Sequence, residues 1–331
     1  MNILFLSPVP QNASSVSDYQ ADMLFHGLRS ILGDKVVDAN KMWHMYDTLK
    51  PYLKPSIWGK GFTLYGLLPD INIDREEIDR KCKDGYFDYC IFCIHHTIVG
   101  TPYVESYVDA IRKFFPKEKT IVVDGHDRPT YNSDIANKCI YFKRELEDNS
   151  IKPIHFAIPE SAIRKIENPK IYPFAPLVPV NHSWNSEHIK TYIYDDENKY
   201  MEEYQKSWFA YTCKKGGWDC LRHYEILAAG CVPWFTDIEI CPSNTLFRFP
   251  KELCIRAKKI QGCIPGTTVE YNPNNETFLG TTEKIKLGKE RGYIAENFDF
   301  GSYYEILEDM RYVLREKLTT KALAEYLLNS I

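Results

Sequence analysis

No stretch of this 331-residue chain approaches the roughly 18 to 20 consecutive apolar residues that a membrane helix requires, so no membrane span is expected. Positive charge is not in surplus either. With 41 basic and 45 acidic residues the net charge is −4, which removes the electrostatic case for bulk nucleic-acid binding and leaves open only a local basic groove. Ten cysteines are too few for a disulfide scaffold of this length. Met1 to Pro10 lacks the basic leader and small-residue cleavage site of a secretory signal, and it reads as a buried strand. Reduced thiols in the cytoplasm are therefore expected, and the sequons at Asn12, Asn181 and Asn275 carry no weight without secretion. Internal repeats and low-complexity tracts are absent.

What is present is ordinary globular composition, 44% hydrophobic and 26% charged, at a length that suits two domains. A strand at Asn2 to Ser7 leads through a Pro-rich turn to Ser17 and Asp18, which cap a helix with Ala21, Leu24, Phe25, Leu28 and Ile31 on one face. Gly33 stops that helix, and Lys35 to Asp38 is the next strand. Continuous apolar runs at Tyr89 to Ile94 and Thr120 to Val123 predict strands covered on both faces, with a helix over Val104 to Phe115 between them. A short strand and helix are expected around Tyr141 to Leu146, and a further strand over Lys152 to Ile158. Prolines then crowd one stretch, at 159, 169, 173, 176 and 179. This alternation predicts an α/β fold with domains at 1–165 and 186–310, a Pro-rich linker at 166–185 and a C-terminal helical segment at 311–331.

The most informative run is Ser207 to Phe235. A helix over Glu197 to Lys206 and a strand over Trp208 to Thr212 deliver the chain to Lys214, Lys215, Gly216 and Gly217. Glycines let the backbone turn tightly and approach a ligand. Asp219 is placed to cap a following helix through Ala229, whose free N–H groups and positive dipole end suit a phosphate. Arg222 and Glu225 stand three apart and share a face of that helix. A cation beside a diphosphate and a carboxylate beside a ribose diol are what a nucleotide diphosphate needs. A surface helix with an ordinary Arg–Glu pair would show the same spacing.

The whole phrase is more specific than its parts. Arg222-x-x-Glu225, followed by Ile226-Leu-Ala-Ala-Gly-Cys-Val-Pro233, resembles the donor-binding helix of two-Rossmann-domain (GT-B) glycosyltransferases, and is most similar to the exostosin-like group. The resemblance spans about residues 202 to 250. It implies two facing Rossmann-like domains with a C-terminal helix returning to the first. It also implies that Glu225 holds the donor ribose, that Arg222 holds the diphosphate, and that Lys214 or Lys215 adds charge. Retaining relatives often carry a second Glu eight residues before the ribose carboxylate; Gly217 stands there, which favours an inverting reaction. No two aspartates stand two apart, so the Asp-x-Asp metal motif of single-domain transferases is missing and catalysis without metal or cofactor is expected.

Inverting transfer needs a general base for the acceptor hydroxyl, at the carboxyl end of a first-domain strand. Val122 to Pro129 opens from an apolar strand into Asp124, His126, Asp127 and Arg128, so Asp124 is the first choice of base and Asp127 the second. This stretch is similar in placement to that of the phage DNA β-glucosyltransferase, a short likeness. An Asp-Gly turn at Asp124 and Gly125 is the plain alternative. Asp18 is a rival base or an ordinary N-cap, and His95 or His96 could line the acceptor side. Lys143 and Arg144 read as a solvated charge pair near the same edge. Cys90 and Cys93 have C-x-x-C spacing inside a strand, without the second pair a zinc site needs.

The expected activity is transfer of a sugar from a nucleotide-diphosphate donor to a hydroxyl acceptor. A glycan is the first acceptor and a hydroxymethylated DNA base the second. A nucleotide-sugar epimerase and a non-catalytic nucleotide-sugar-binding protein are the other readings.

Overall fold

The computed structural model describes residues 1–7, 17–94, 102–166, 169–175, 194–266, 276–277, 280–281 and 292–331. The chain divides into two compact units. Unit 1 comprises Met1–Pro159, Pro242–Phe247 and Thr319–Ile331; unit 2 comprises Glu160–Cys241 and Arg248–Leu318.

Unit 1 is built on β1 (Ile3–Leu6), α1 (Tyr19–Leu32), β2 (Val36–Asp38), α2 (Ile78–Lys83), β3 (Tyr89–Ile94), α3 (Pro102–Ile111), β4 (Thr120–Asp124), α4 (Ser133–Lys138), β5 (Ile140–Lys143) and β6 (Lys152–Pro153). The six strands form one sheet in the order β2-β1-β3-β4-β5-β6, parallel throughout. Parallel strands are covered on both faces, which is why their sequences are almost wholly apolar. Leu4, Phe92, Ile94, Val122 and Tyr141 pack with Val104, Val108 and Ile135 of α3 and α4. On the other face Phe5 meets Phe25 of α1, with ring centroids 5.1 Å apart. The strand order reverses between β1 and β3, the topological switch point beside which such sheets take ligands.

Three expectations change. A helix, α4, precedes β5 because Asn132 caps it, accepting from the N–H groups of Asp134 and Ile135. The strand expected over Lys152 to Ile158 pairs for two residues only, and Ile158 instead bridges Thr319. Lys143 and Arg144 are buried, not solvated.

Unit 2 contains β7 (Tyr172–Phe174), α5 (Glu197–Gln205), β8 (Ser207–Thr212), α6 (Leu221–Ala228), β9 (Val232–Phe235), α7 (Lys251–Ala257), β10 (Cys263–Pro265), β11 (Glu276–Thr277), β12 (Gly280–Thr281), β13 (Gly292–Ile294) and α8 (Phe300–Lys317). Strands β7, β8 and β9 form a parallel sheet in that order. Strand β7 lies inside the stretch expected as a linker; Pro173 is tolerated there because β7 is an edge strand. The many aromatics build this core: Phe174 stacks on Tyr211 at 4.6 Å, and Trp208 meets Tyr303 of α8 at 4.8 Å.

The last helix, α9 (Thr320–Leu328), belongs to unit 1 and packs against α1. The approach is close: a Cβ on Gly27 would lie 1.9 Å from the Thr320 carbonyl oxygen. Among the described residues, no helix is long and apolar enough to cross a membrane.

Candidate functional site

In unit 2, α6 is oriented by its ends. At the C-terminal end the last carbonyls carry the negative end of the helix dipole. Arg311 from α8 donates to the carbonyls of Leu227 and Ala228 at 3.2 and 3.3 Å, and to that of Arg164 at 2.7 Å. Lys170 donates to the carbonyls of Gly230 and Ser207. Gly230 ends the helix at φ +77°, and a Cβ there would lie 2.8 Å from Ile166. Two cations thus close one end of α6, and the other end faces the glycine turn.

At that N-terminal end the cap position is Cys220, not Asp219; Asp219 accepts from the Tyr224 hydroxyl at 2.9 Å instead. Lys214 is half-buried, its N–H donating to Asp237 Oδ2 at 3.1 Å and its ammonium 5.6 Å from the Trp218 ring. The Lys215 N–H donates to the carbonyl of Gly217, folding Gly216 into a tight turn. Arg222 and Glu225 are each 5% exposed. Burial, with Arg222 adding to it, pulls the Lys215 ammonium down to about 8, while Glu225 opposes the shift. The structure therefore brings Lys215, Arg222 and Glu225 into one electrostatic neighbourhood.

Two residues that no sequence pattern pointed to hold this arrangement. Tyr200 of α5 donates its hydroxyl to Glu225 Oε2 at 2.7 Å. His223 lies between Thr212 Oγ1 at 2.8 Å from Nδ1 and the Trp218 carbonyl at 2.9 Å from Nε2. A carbonyl only accepts, so Nε2 carries the hydrogen and Nδ1 accepts from the Thr212 hydroxyl. Burial pushes this imidazole down to about 3, so it is neutral and ties the turn to β8.

In unit 1 the candidate residues gather at the carboxyl edge of the sheet. Asp124 is 1% exposed. Its Oδ1 accepts from the His126 N–H at 2.9 Å and from Lys143 Nζ at 3.2 Å, and its Oδ2 from the Tyr141 hydroxyl at 2.8 Å. The pair follows from register, since Lys143 is the cross-strand partner of Asp124. Burial lowers the Lys143 ammonium and Asp124 opposes that shift. Among the described residues Asp124 is thus held in a buried polar network, with two donors on Oδ1 and one on Oδ2.

Asp127 differs: its side chain is 53% exposed and pairs with Arg144. Arg144 also donates to the Gly125 carbonyl at 2.8 and 2.9 Å and to Glu145 at 2.9 Å, and it lies 4.4 Å over Phe156. A buried guanidinium therefore fixes the loop from Gly125 to Asp127. Arg128 is exposed, and its N–H donates to His126 Nδ1 at 3.3 Å. The half-buried His126 imidazole is lowered by burial and by Lys143.

Asp18 accepts from the N–H groups of Gln20 and Ala21 as the N-cap of α1. A Cβ on Gly125 would lie 2.6 Å from Gln20 and 3.8 Å from Asp18 Oδ1, so the two loops meet closely. Behind Asp18, its own N–H donates to Asp22, and Asp22 Oδ1 pairs with His44 Nε2 at 2.8 Å, both side chains buried. That pair, far apart in sequence, had no local signal. His95 and His96 lie outside the described residues. Cys90 and Cys93 are buried core thiols, pushed up by burial. Among the described residues no group of three or more His, Cys, Asp or Glu is gathered as metal ligands would be.

No protein-family model matches the chain, and no curated protein matches it.

Proposed function

We propose that the chain is a glycosyltransferase of the two-Rossmann-domain plan, moving a sugar from a nucleotide-diphosphate donor to a hydroxyl acceptor with inversion. The observation that carries the reading is the grouping of Lys215, Arg222 and Glu225 after a glycine turn at the start of α6. Lys215 and Arg222, with the helix N-terminus, counter the charge of a leaving diphosphate and supply what a metal ion supplies elsewhere. Glu225, held by Tyr200, accepts hydrogen bonds from ribose hydroxyls. Lys214, Gly216 and Gly217 complete the turn against the phosphates.

The base is Asp127 in this reading. It is the exposed carboxylate of the β4 loop, and Arg144 fixes its direction. Asp124, whose oxygens are engaged, positions the loop. In the reaction the acceptor oxygen attacks the anomeric carbon as its proton passes to the Asp127 carboxylate. The bond from that carbon to the diphosphate oxygen breaks, and the nucleoside diphosphate leaves. His126 and Arg128 flank the acceptor hydroxyl.

The test is release of nucleoside diphosphate from a panel of nucleotide sugars, with and without hydroxyl acceptors. The reading expects turnover with one nucleotide family, lost in Asp127→Asn. Release from none of the donors would overturn it.

A further inference from the structure

Between Asp47 and Asp70 the chain contains no acidic residue, although the protein as a whole is at −4. This stretch of unit 1 holds Lys50, Lys54 and Lys60 with Tyr52 and Trp58 interleaved. It folds as two short 3-10 turns, Pro51–Ser56 and Trp58–Gly61. The segment packs on itself: a Cβ on Gly61 would lie 3.0 Å from Lys54, and Ser56 Oγ donates to the Leu53 carbonyl at 2.7 Å. Gly59, Lys60, Gly61 and Thr63 all adopt left-handed φ, between 57° and 70°. For Lys60 and Thr63 that conformation is strained, a cost which the surrounding packing sustains.

This segment presents a specific chemistry. Tyr52 is 78% exposed and Trp58 is 47% exposed. Among the described residues neither Lys50 nor Lys54 takes part in an ion pair. Ile57 and Phe62 are buried. Of the cationic and aromatic side chains in this segment, Lys50, Tyr52 and Trp58 are exposed and Lys54 is half-buried. Neutral glycans need the rings but not the lysines, and sulfated glycans need the lysines but not the rings. Rings for stacking and cations for phosphates together are the requirements of a single-stranded polynucleotide.

The segment is also pinned to the edge described above, since the Trp58 N–H donates to Oγ of Ser17, the residue before the α1 N-cap Asp18. We infer that the Lys50–Trp58 segment is a binding surface for single-stranded nucleic acid, with Tyr52 and Trp58 stacking on bases and Lys50 and Lys54 on phosphates. This goes beyond the glycosyltransferase reading and does not rest on it.

The experiment is fluorescence anisotropy of a labelled single-stranded oligothymidylate with the full chain, between about 50 and about 200 mM salt. Two lysine–phosphate contacts predict a log–log salt slope of about −1.4, which the double variant Lys50→Ala/Lys54→Ala removes. Removing one stacking ring, in Tyr52→Ala or Trp58→Ala, weakens binding about 5- to 150-fold. Tyr52 is exposed enough that its loss leaves the fold intact, so a null result there is not ascribed to unfolding. No binding at low salt would overturn the inference, as would binding that these variants leave unchanged. Equal or tighter binding of a sulfated polysaccharide or of anionic phospholipid vesicles, insensitive to Tyr52→Ala, would also overturn it. Glu225→Ala leaves oligonucleotide binding unchanged, so this outcome and that of the donor-site test are read separately.

Discussion

The Tyr200 hydroxyl donates to Glu225 Oε2 at 2.7 Å, and both side chains are buried. A hydrogen bond to a charged group contributes about 1.5–3 kcal/mol. If Glu225 holds a ribose, Tyr200→Phe lets that carboxylate turn away and weakens nucleotide affinity about tenfold. Calorimetric titration checks this. A nucleotide lacking a ribose hydroxyl should lose less, because less of its binding passes through Glu225. Unchanged affinity for the full ribonucleotide would contradict the assigned role.

Lys215 sits at about 8, lowered by burial and by Arg222. A bound diphosphate favours the charged ammonium and raises it again. The diphosphate of a nucleotide sugar is esterified at both ends and does not titrate in this range. Binding of a nucleotide sugar should therefore take up a fraction of a proton near pH 8, and near pH 6, where Lys215 is already charged, none. Titrations in buffers of differing ionisation enthalpy measure the uptake. Lys215→Met should abolish it, and wild-type affinity should fall above pH 8.

Asp124 and Asp127 are separable by substitution. Asp124→Asn leaves the buried Lys143 charge without its carboxylate, a loss of about 3–5 kcal/mol that chemical denaturation will register. Asp127→Asn should barely change stability, because the side chain is half exposed. It should instead lower kcat about 10²- to 10⁴-fold while donor binding persists. The opposite pattern, with activity lost and stability kept in Asp124→Asn, would return the base to Asp124.

His223 gives a pH signature. Its folded value is about 3, below the ordinary value near 6.5. Between those values the unfolded chain binds a proton that the folded chain does not, so stability falls as pH drops through this window. The contribution is up to about 1.4 kcal/mol per pH unit. His26, lowered to about 4 by burial, acts in the same direction but is common to both proteins. His223→Gln should therefore be less stable than wild type near pH 7 and lose this part of the acid slope. Equal slopes in the two proteins would show that the imidazole titrates alike folded and unfolded.

How much of this was legible depends on how local each cause is. Strands β1, β3, β4, β8 and β9 announce themselves as apolar runs, and α1 by its 3-4-7 spacing and Asp18 cap. Strand β7 was hidden by Pro173, which is a breaker everywhere except at a sheet edge. The excursion of Pro242–Phe247 into unit 1 had no local mark. It rests on Thr245, whose hydroxyl accepts from the Leu146 N–H at 2.9 Å and donates to the Leu146 carbonyl at 3.1 Å. The candidate site shows the same division. Arg222 and Glu225 are a helical spacing and could be read directly. The hydrogen bonds that fix Glu225, the tautomer of His223 and the engagement of Asp124 by Lys143 arise between elements that only the fold brings together.

The most direct measurement is a thermal-shift panel of nucleoside diphosphates and their sugars on wild type and Glu225→Ala. A ligand at about 100 times its Kd stabilises the folded state by about 2.7 kcal/mol, a readily measured rise in Tm. The account predicts a rise with one nucleotide family in wild type and its loss in Glu225→Ala. A wild-type protein that no nucleotide stabilises, or a variant stabilised as well as wild type, would contradict the assignment of Lys215, Arg222 and Glu225 as a nucleotide site.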